Sequence, residues 1–191
     1  DRGLVSILSG YPSLPNISIV KEPDKASRIS FLPKEFKNNG YSTSFIYGGE
    51  SEFANIKSYL LNSKFDKIID KNYFHKEDMN SKWGAHDHIV FNESLTQLKN
   101  IKEPFFTTIL TLSSHEPFEV PMETIIKGDD RQSLYKNSVI YLDRSIENFM
   151  KKASTEKYYD NTVFIFISDH GFRVGDVSNR DKKRYHIPFF I

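Results

Sequence analysis

Asp169 and His170 stand side by side after a run of β-branched and aromatic residues, Thr162–Ile167, and Gly171 follows them. A carboxylate oxygen beside a neutral imidazole nitrogen is a mixed donor pair, better suited to Zn²⁺ or Mn²⁺ than to the all-oxygen cage Ca²⁺ prefers. The apolar run has no polar alternation, the pattern of a strand buried on both faces of a parallel sheet. Open α/β sheets bind their ligands at the carboxyl ends of strands. The pair therefore falls where such a sheet places a site, and Gly171 lets the chain turn away without a side chain. The competing account is a polar loop that caps whatever follows.

A second apolar run, Phe105–Leu112, also ends in a polar cluster, Ser113-Ser-His-Glu116. His115 thus arrives at a strand end as His170 does, and one pocket can gather His115, Asp169 and His170; a loop-ordering cap before Pro117 is the alternative for His115. His86 and His88 lie two apart, a spacing that diverges on a helix, so one is expected to face a pocket and the other the surface. Trp83, the sole tryptophan, reads as a core plug or as a platform for substrate. Arg173, Arg180, Lys182, Lys183 and Arg184 are able to pair with an anionic substrate, and no more than one is expected to do so. Gly48-Gly49 lacks the spacing and lysine of a phosphate loop, and no Gly-x-Ser-x-Gly elbow marks Ser6 or Ser9 as a nucleophile.

These residues need elements to hold them. With 191 residues the chain supports one sizeable core. A net charge of +1, with both signs interspersed, argues against a nucleic-acid footprint. The absence of cysteine excludes thiolate metal sites and a cysteine nucleophile within the stretch. No apolar run reaches the roughly 20 residues that cross a bilayer. Helices are expected over residues 3–10, closed by Gly10; over 30–38, with Ser30 as N-cap and Asn39-Gly40 as a left-handed stop; and over 52–61. Residues 16–25 read as irregular. Tyr41–Tyr47 and Phe65–Ile69 read as strands, and 70–82 as polar loop. A helix follows Trp83–His88 with Ile89, Phe91, Leu95 and Leu98 on its apolar face. From 130 to 150, Tyr135, Val139, Leu142, Ile146 and Phe149 repeat at four-three-four-three spacing, a long amphipathic helix. Strands alternating with helices predict an α/β fold with a mostly parallel sheet. Both ends read as cut, the last inside a strand at residues 187–191.

Trp83-Gly-Ala-His86, Phe105–Phe118 and Ile165–Gly171, taken in order, resemble the sulfatase-type branch of the alkaline phosphatase superfamily, most closely its lipoteichoic acid synthase-like proteins. The resemblance spans nearly the whole chain. It implies a three-layer α/β/α sandwich and a divalent metal, Mn²⁺ or Zn²⁺ first and Mg²⁺ or Ca²⁺ next, held by Asp169 and His170. His115 would bind substrate, with His86 and Trp83 as further pocket residues. The family's nucleophile motif, counted back from Gly10, puts the nucleophile one residue before Asp1, and its first acidic metal ligand farther upstream. The stretch alone would then be inactive, with no catalytic nucleophile of its own. A phosphate or sulfate ester, on a lipid or glycan, is the implied substrate, and a membrane-anchored parent with an extracytoplasmic catalytic domain the implied setting. An arylsulfatase-type hydrolase and a non-catalytic binding module on the same fold are the alternatives. Oligomeric state is not legible.

Overall fold

In the computed structural model of the chain, residues 2–14, 18–52, 55–172, 178 and 181–191 are described, and all but the side chain of Arg184 are described in full. The centre is strand β1 (Ser42–Tyr47), which pairs in parallel with β2 (Lys67–Ile69) on one side and β3 (Phe105–Leu110) on the other. Alternate side chains of these strands enter opposite layers, as the period of two requires. Phe45, Tyr47, Phe106 and Leu110 pack toward Leu4, Leu8, Phe31, Tyr59 and Leu60. These come from α1 (Arg2–Ser9), α4 (Ile56–Asn62) and the entry to α3 (Leu32–Asn38). Phe105 and Ile109 turn the other way, toward α5 (Asp87–Lys99) and α6 (Arg131–Ala153). The result is a three-layer α/β/α arrangement around a parallel sheet, as expected.

Local chemistry explains most element ends. Gly10 and Gly40 take positive φ (+66° and +85°) and close α1 and α3. The Asp130 carboxylate caps α6 by accepting from the Gln132 and Ser133 amides. Ser30 does not cap α3; that position belongs to Phe31, and Pro33 sits in the first turn, where its missing N–H costs nothing. Residues 19–21 form a 3-10 turn and Pro23–Ala26 a short helix, α2, where irregular chain was expected. Helix α4 begins only at Ile56, after a left-handed Asn55. On α6 the buried face is Asn137, Ser138, Tyr141, Ser145 and Phe149, leaving Val139 exposed, so small polar residues occupy seam positions that apolar spacing alone assigned elsewhere. On α5 Val90 joins Phe91 and Leu98 in the buried face, flanked by Ile89 and Leu95.

The largest correction concerns Thr162–Ile167. Only β4 (Phe166–Ile167) is strand, and it pairs antiparallel with β5 (Phe189–Phe190) in a second, two-stranded sheet. Val163 and Ile165 are 72% and 57% exposed, so this run is not buried on both faces. Among the described residues no neighbouring strand covers its outer side, and an unbroken apolar run looks the same whether or not such a neighbour is present.

The turn after β1 brings backbones together. Gly49 bridges Gly84, and the Ala85 amide donates to the Gly48 carbonyl at 3.0 Å. A Cβ on Gly84 would lie 2.1 Å from the Gly48 oxygen, and its φ of +141° already demands glycine. This contact fixes where Trp83 and His86 leave the chain. Gly84→Ala is expected to lower stability by roughly 1–3 kcal/mol. Urea unfolding followed by the fluorescence of the single tryptophan checks it, and the native emission should itself shift.

Candidate functional site

The end of β3 is held by a buried carboxylate. Asp87, fully inaccessible to solvent, starts α5 and accepts the Leu112 amide at 2.7 Å and the Ser113 amide at 3.1 Å, while its own N–H donates to Ser113 Oγ. Burial pushes its carboxyl above the ordinary carboxylate range, and the hydrogen bonds from Leu112 and Ser113 pull the other way. The partners of the carboxylate, the Leu112 and Ser113 amides and the Ser113 side chain, all favour the ionised form. Asp87 is not among the residues expected from the sequence; its one signal there is its place at a helix start, where an acidic residue is favoured.

The loop beyond Ser113 then folds on itself. His115 N–H donates to the Leu112 carbonyl and Phe118 N–H to the His115 carbonyl, at 2.9 and 2.8 Å. The exposed His115 ring meets Trp83 edge-on at 4.8 Å, and the indole N–H donates to the Glu116 carbonyl. Trp83, His86 and His115 line one open crevice with Ser113, Pro117 and Glu119. His86 is buried, and its Nδ1 has no hydrogen-bond partner among the described residues. A buried polar atom left unpaired is costly, and a bound ligand group is one way to satisfy it. His88 turns away and bonds the Tyr141 hydroxyl through Nδ1 at 2.5 Å. Burial, and then the neighbouring His88, hold the His86 imidazole below its ordinary value, with Glu119 opposing; burial does the same to His88, with Asp78 opposing.

Asp169 and His170 lie outside the lining of that crevice. They follow β4, with His170 Nε2 3.7 Å from Asp169 Oδ1. His170 Nδ1 is 3.1 Å from the Gly171 carbonyl, which can only accept, so the neutral tautomer that donates there carries its lone pair on Nε2. A carboxylate oxygen and an imidazole nitrogen this far apart can both reach one ion at bond lengths of about 2.0–2.2 Å, so the pair fits a divalent metal as part of a ligand set. Among the described residues no group of three or more candidate donors converges. The first turn of α1 lies directly against this pair, since a Cβ on Gly3 would sit 1.5 Å from the Asp169 carbonyl oxygen. Of the basic residues considered for an anion, Arg173 and Arg180 and the side chain of Arg184 lie outside the described residues, while Lys182 and Lys183 are exposed in a 3-10 turn.

A parallel sheet between two helical layers, with polar clusters gathered after its strands, defines an α/β domain of the ligand-binding kind. The sulfatase family model matches residues 1–191, and the chain belongs to that family. It is 25% identical over 176 residues to the lipoteichoic acid synthase-like protein YvgJ of Bacillus subtilis, covering 89% of this chain and 28% of that one. An alkaline phosphatase superfamily protein from Vibrio parahaemolyticus superposes with a TM-score of 0.86 at 31% identity, over 98% of this chain and 47% of the other. The phosphoglycerol transferase GacH of Streptococcus pyogenes, solved with sn-glycerol-1-phosphate, shares the fold at a TM-score of 0.71 and 16% identity, over 98% of this chain and 53% of its own. The chain thus spans between about a quarter and about half of these relatives. No helix among the described residues is long and apolar enough to cross a membrane.

Two measurements probe the site. Asp87→Ala strips the acceptor from two backbone amides and is expected to cost about 2–4 kcal/mol in urea unfolding, at the usual penalty for stranded donors. The second follows pH. The unfolded chain protonates His86 and His88 near 6.5, whereas the folded chain resists until lower pH. Their contribution to stability is therefore complete above about 6.5 and is lost as pH falls through the folded values. Unfolding midpoints from about pH 8 to about pH 5 should fall on the acid side, and His86→Gln should flatten that fall.

Proposed function

We propose that this chain is part of a metal-dependent enzyme that transfers a phosphate-ester group, of the lipoteichoic acid synthase-like kind, with a glycerol phosphate headgroup as the group bound. The observation that carries this is the crevice of Trp83, His115 and the unpaired Nδ1 of His86 at the carboxyl end of β3. The family match and the glycerol phosphate seen with GacH support the substrate class.

In this reading His115 donates a hydrogen bond to a phosphate oxygen. The indole of Trp83, held by its bond to the Glu116 carbonyl, covers the carbon skeleton of the glycerol. His86, kept neutral by burial, offers one nitrogen to a hydroxyl or an ester oxygen without adding charge. Asp169 and His170 would hold a divalent ion, Mn²⁺ or Zn²⁺, which when bound would supply positive charge to the ester oxygens and favour ionisation of an attacking hydroxyl. The catalytic nucleophile is assigned to the residue preceding Asp1 in a longer protein. A membrane anchor and an extracytoplasmic setting belong to the same proposal.

The experiment is a pair of titrations by calorimetry. Mn²⁺ and Zn²⁺ are titrated into the chain and into its Asp169→Ala/His170→Ala variant, and sn-glycerol 1-phosphate and an aryl sulfate into the chain and into His115→Ala and Trp83→Ala. Metal binding lost in the double variant, and glycerol phosphate weakened at least ~10-fold by either crevice variant, is the expected result, at about 1.4 kcal/mol per decade. Preference for the aryl sulfate would favour the sulfatase alternative. Indifference to both ions and both anions would favour a non-catalytic module.

A further inference from the structure

The crevice end of β3 and the Asp169–His170 segment belong to different sheets, and among the described residues no strand ladder joins them. What does join them is a cluster of rings. Phe118 lies three residues after His115, Phe172 two residues after His170, and Tyr135 in the second turn of α6. Their ring centroids are 5.2 Å apart for Phe118–Phe172, 4.2 Å for Tyr135–Phe172 and 5.6 Å for Phe118–Tyr135. Two of the three pairs are edge-to-face, the arrangement the ring quadrupoles favour.

Arg131, one turn before Tyr135, closes the outside. Its guanidinium carbon lies 4.7 Å over the Phe172 ring, and its Nε donates to the carboxylate of Glu116, the residue after His115. One side chain thus touches both segments, as cation over one and as ion-pair partner of the other. Phe118 carries a further mark. It is buried, yet its φ is +65°, a left-handed backbone that a residue other than glycine keeps only where its surroundings over-determine it. Its surroundings here are the rings of Tyr135 and Phe172 and the turn in which its N–H donates to the His115 carbonyl.

We propose that Phe118, Tyr135 and Phe172, closed by Arg131, form a clasp that positions the Asp169–His170 segment against the His115 loop, so that the two move as one body. Calling these segments the metal-binding and anion-binding halves of a site rests on the function proposed above; the clasp itself does not require it. Phe118, Tyr135, Phe172 and Arg131 are positioning residues, acting through His115, Asp169 and His170 rather than on a ligand.

The test is hydrogen exchange and histidine ring NMR on the chain without added metal or anion, so its outcome is independent of whether either binds. The reporters are the His115 and Phe118 amides on one side, Ser168, whose N–H donates to the Pro188 carbonyl, on the other, and Phe45 and Ile46 for the core. Phe172→Ala is expected to speed exchange at His115 and Phe118 at least ~10-fold and to shift the His115 ring signals, with Phe45 and Ile46 unchanged; Phe172→Tyr should restore both. Unchanged exchange at His115 and Phe118 would overturn the clasp. If Phe172→Ala loosens the core as well, Arg131→Ala decides, because that side chain is largely exposed and its loss leaves the core packed. Faster exchange at both Phe118 and Ser168 with a quiet core supports the clasp, and no change at either overturns it.

Discussion

A single buried carboxylate ties the layers of this domain to its chemistry. Asp87 belongs to a helix of one outer layer, yet its acceptors are spent on the two amides that end the strand beside the central one. Those amides have no ladder left to join, because β3 stops at Leu110 while the chain continues as loop. Without an acceptor they would be stranded in the interior, so the loop that carries His115 can leave the sheet only where Asp87 meets it. Trp83 and His86 are placed by the same short stretch of chain, four residues upstream and one. The glycine contact between residues 48–49 and 84 sets that stretch against β1 from the other side. The crevice is thus fixed between two backbone anchors, one electrostatic and one steric.

The two candidate centres differ in how they are built. The crevice is supported from beneath by a three-stranded sheet with fully buried residues such as Phe45 and Ile46. Asp169 and His170 follow a two-residue strand that is only partly buried, and their support comes from α1 on one side and from ring contacts through Phe172 on the other. The Asp169–His170 pair, with no third donor converging on it among the described residues, would need further donors to complete a metal's coordination.

Much of this was legible in residue types and spacing. Apolar runs ending in Ser113–Glu116 and Ser168–Gly171 marked strand ends, and the order of the motifs pointed to the family that the chain belongs to. Helix stops at Gly10 and Gly40 were legible because glycine alone takes positive φ without cost. What escaped was tertiary. Whether Thr162–Ile167 is flanked on both sides depends on neighbours that its own composition does not encode. The seam of α6 buries Ser138 and Ser145, whose hydroxyls donate back to the Tyr135 and Tyr141 carbonyls, so apolar periodicity alone put Val139 inside. Asp87 was hidden between His86 and His88, which read as one pocket-facing and one surface-facing ring, although the buried acid organises more of the structure than either.

The contact between Gly3 and the Asp169 carbonyl has a consequence in time. These residues lie far apart in the sequence, and their meeting closes a loop that contains every strand of the central sheet. Contacts of such long sequence separation form late, after the entropy of the intervening chain has been overcome by nearer ones. The parallel core and its crevice therefore assemble on local and middle-range contacts first, and the Asp169–His170 segment is set against α1 later. Under the proposed function, ion uptake by that pair would report a late contact rather than the early core.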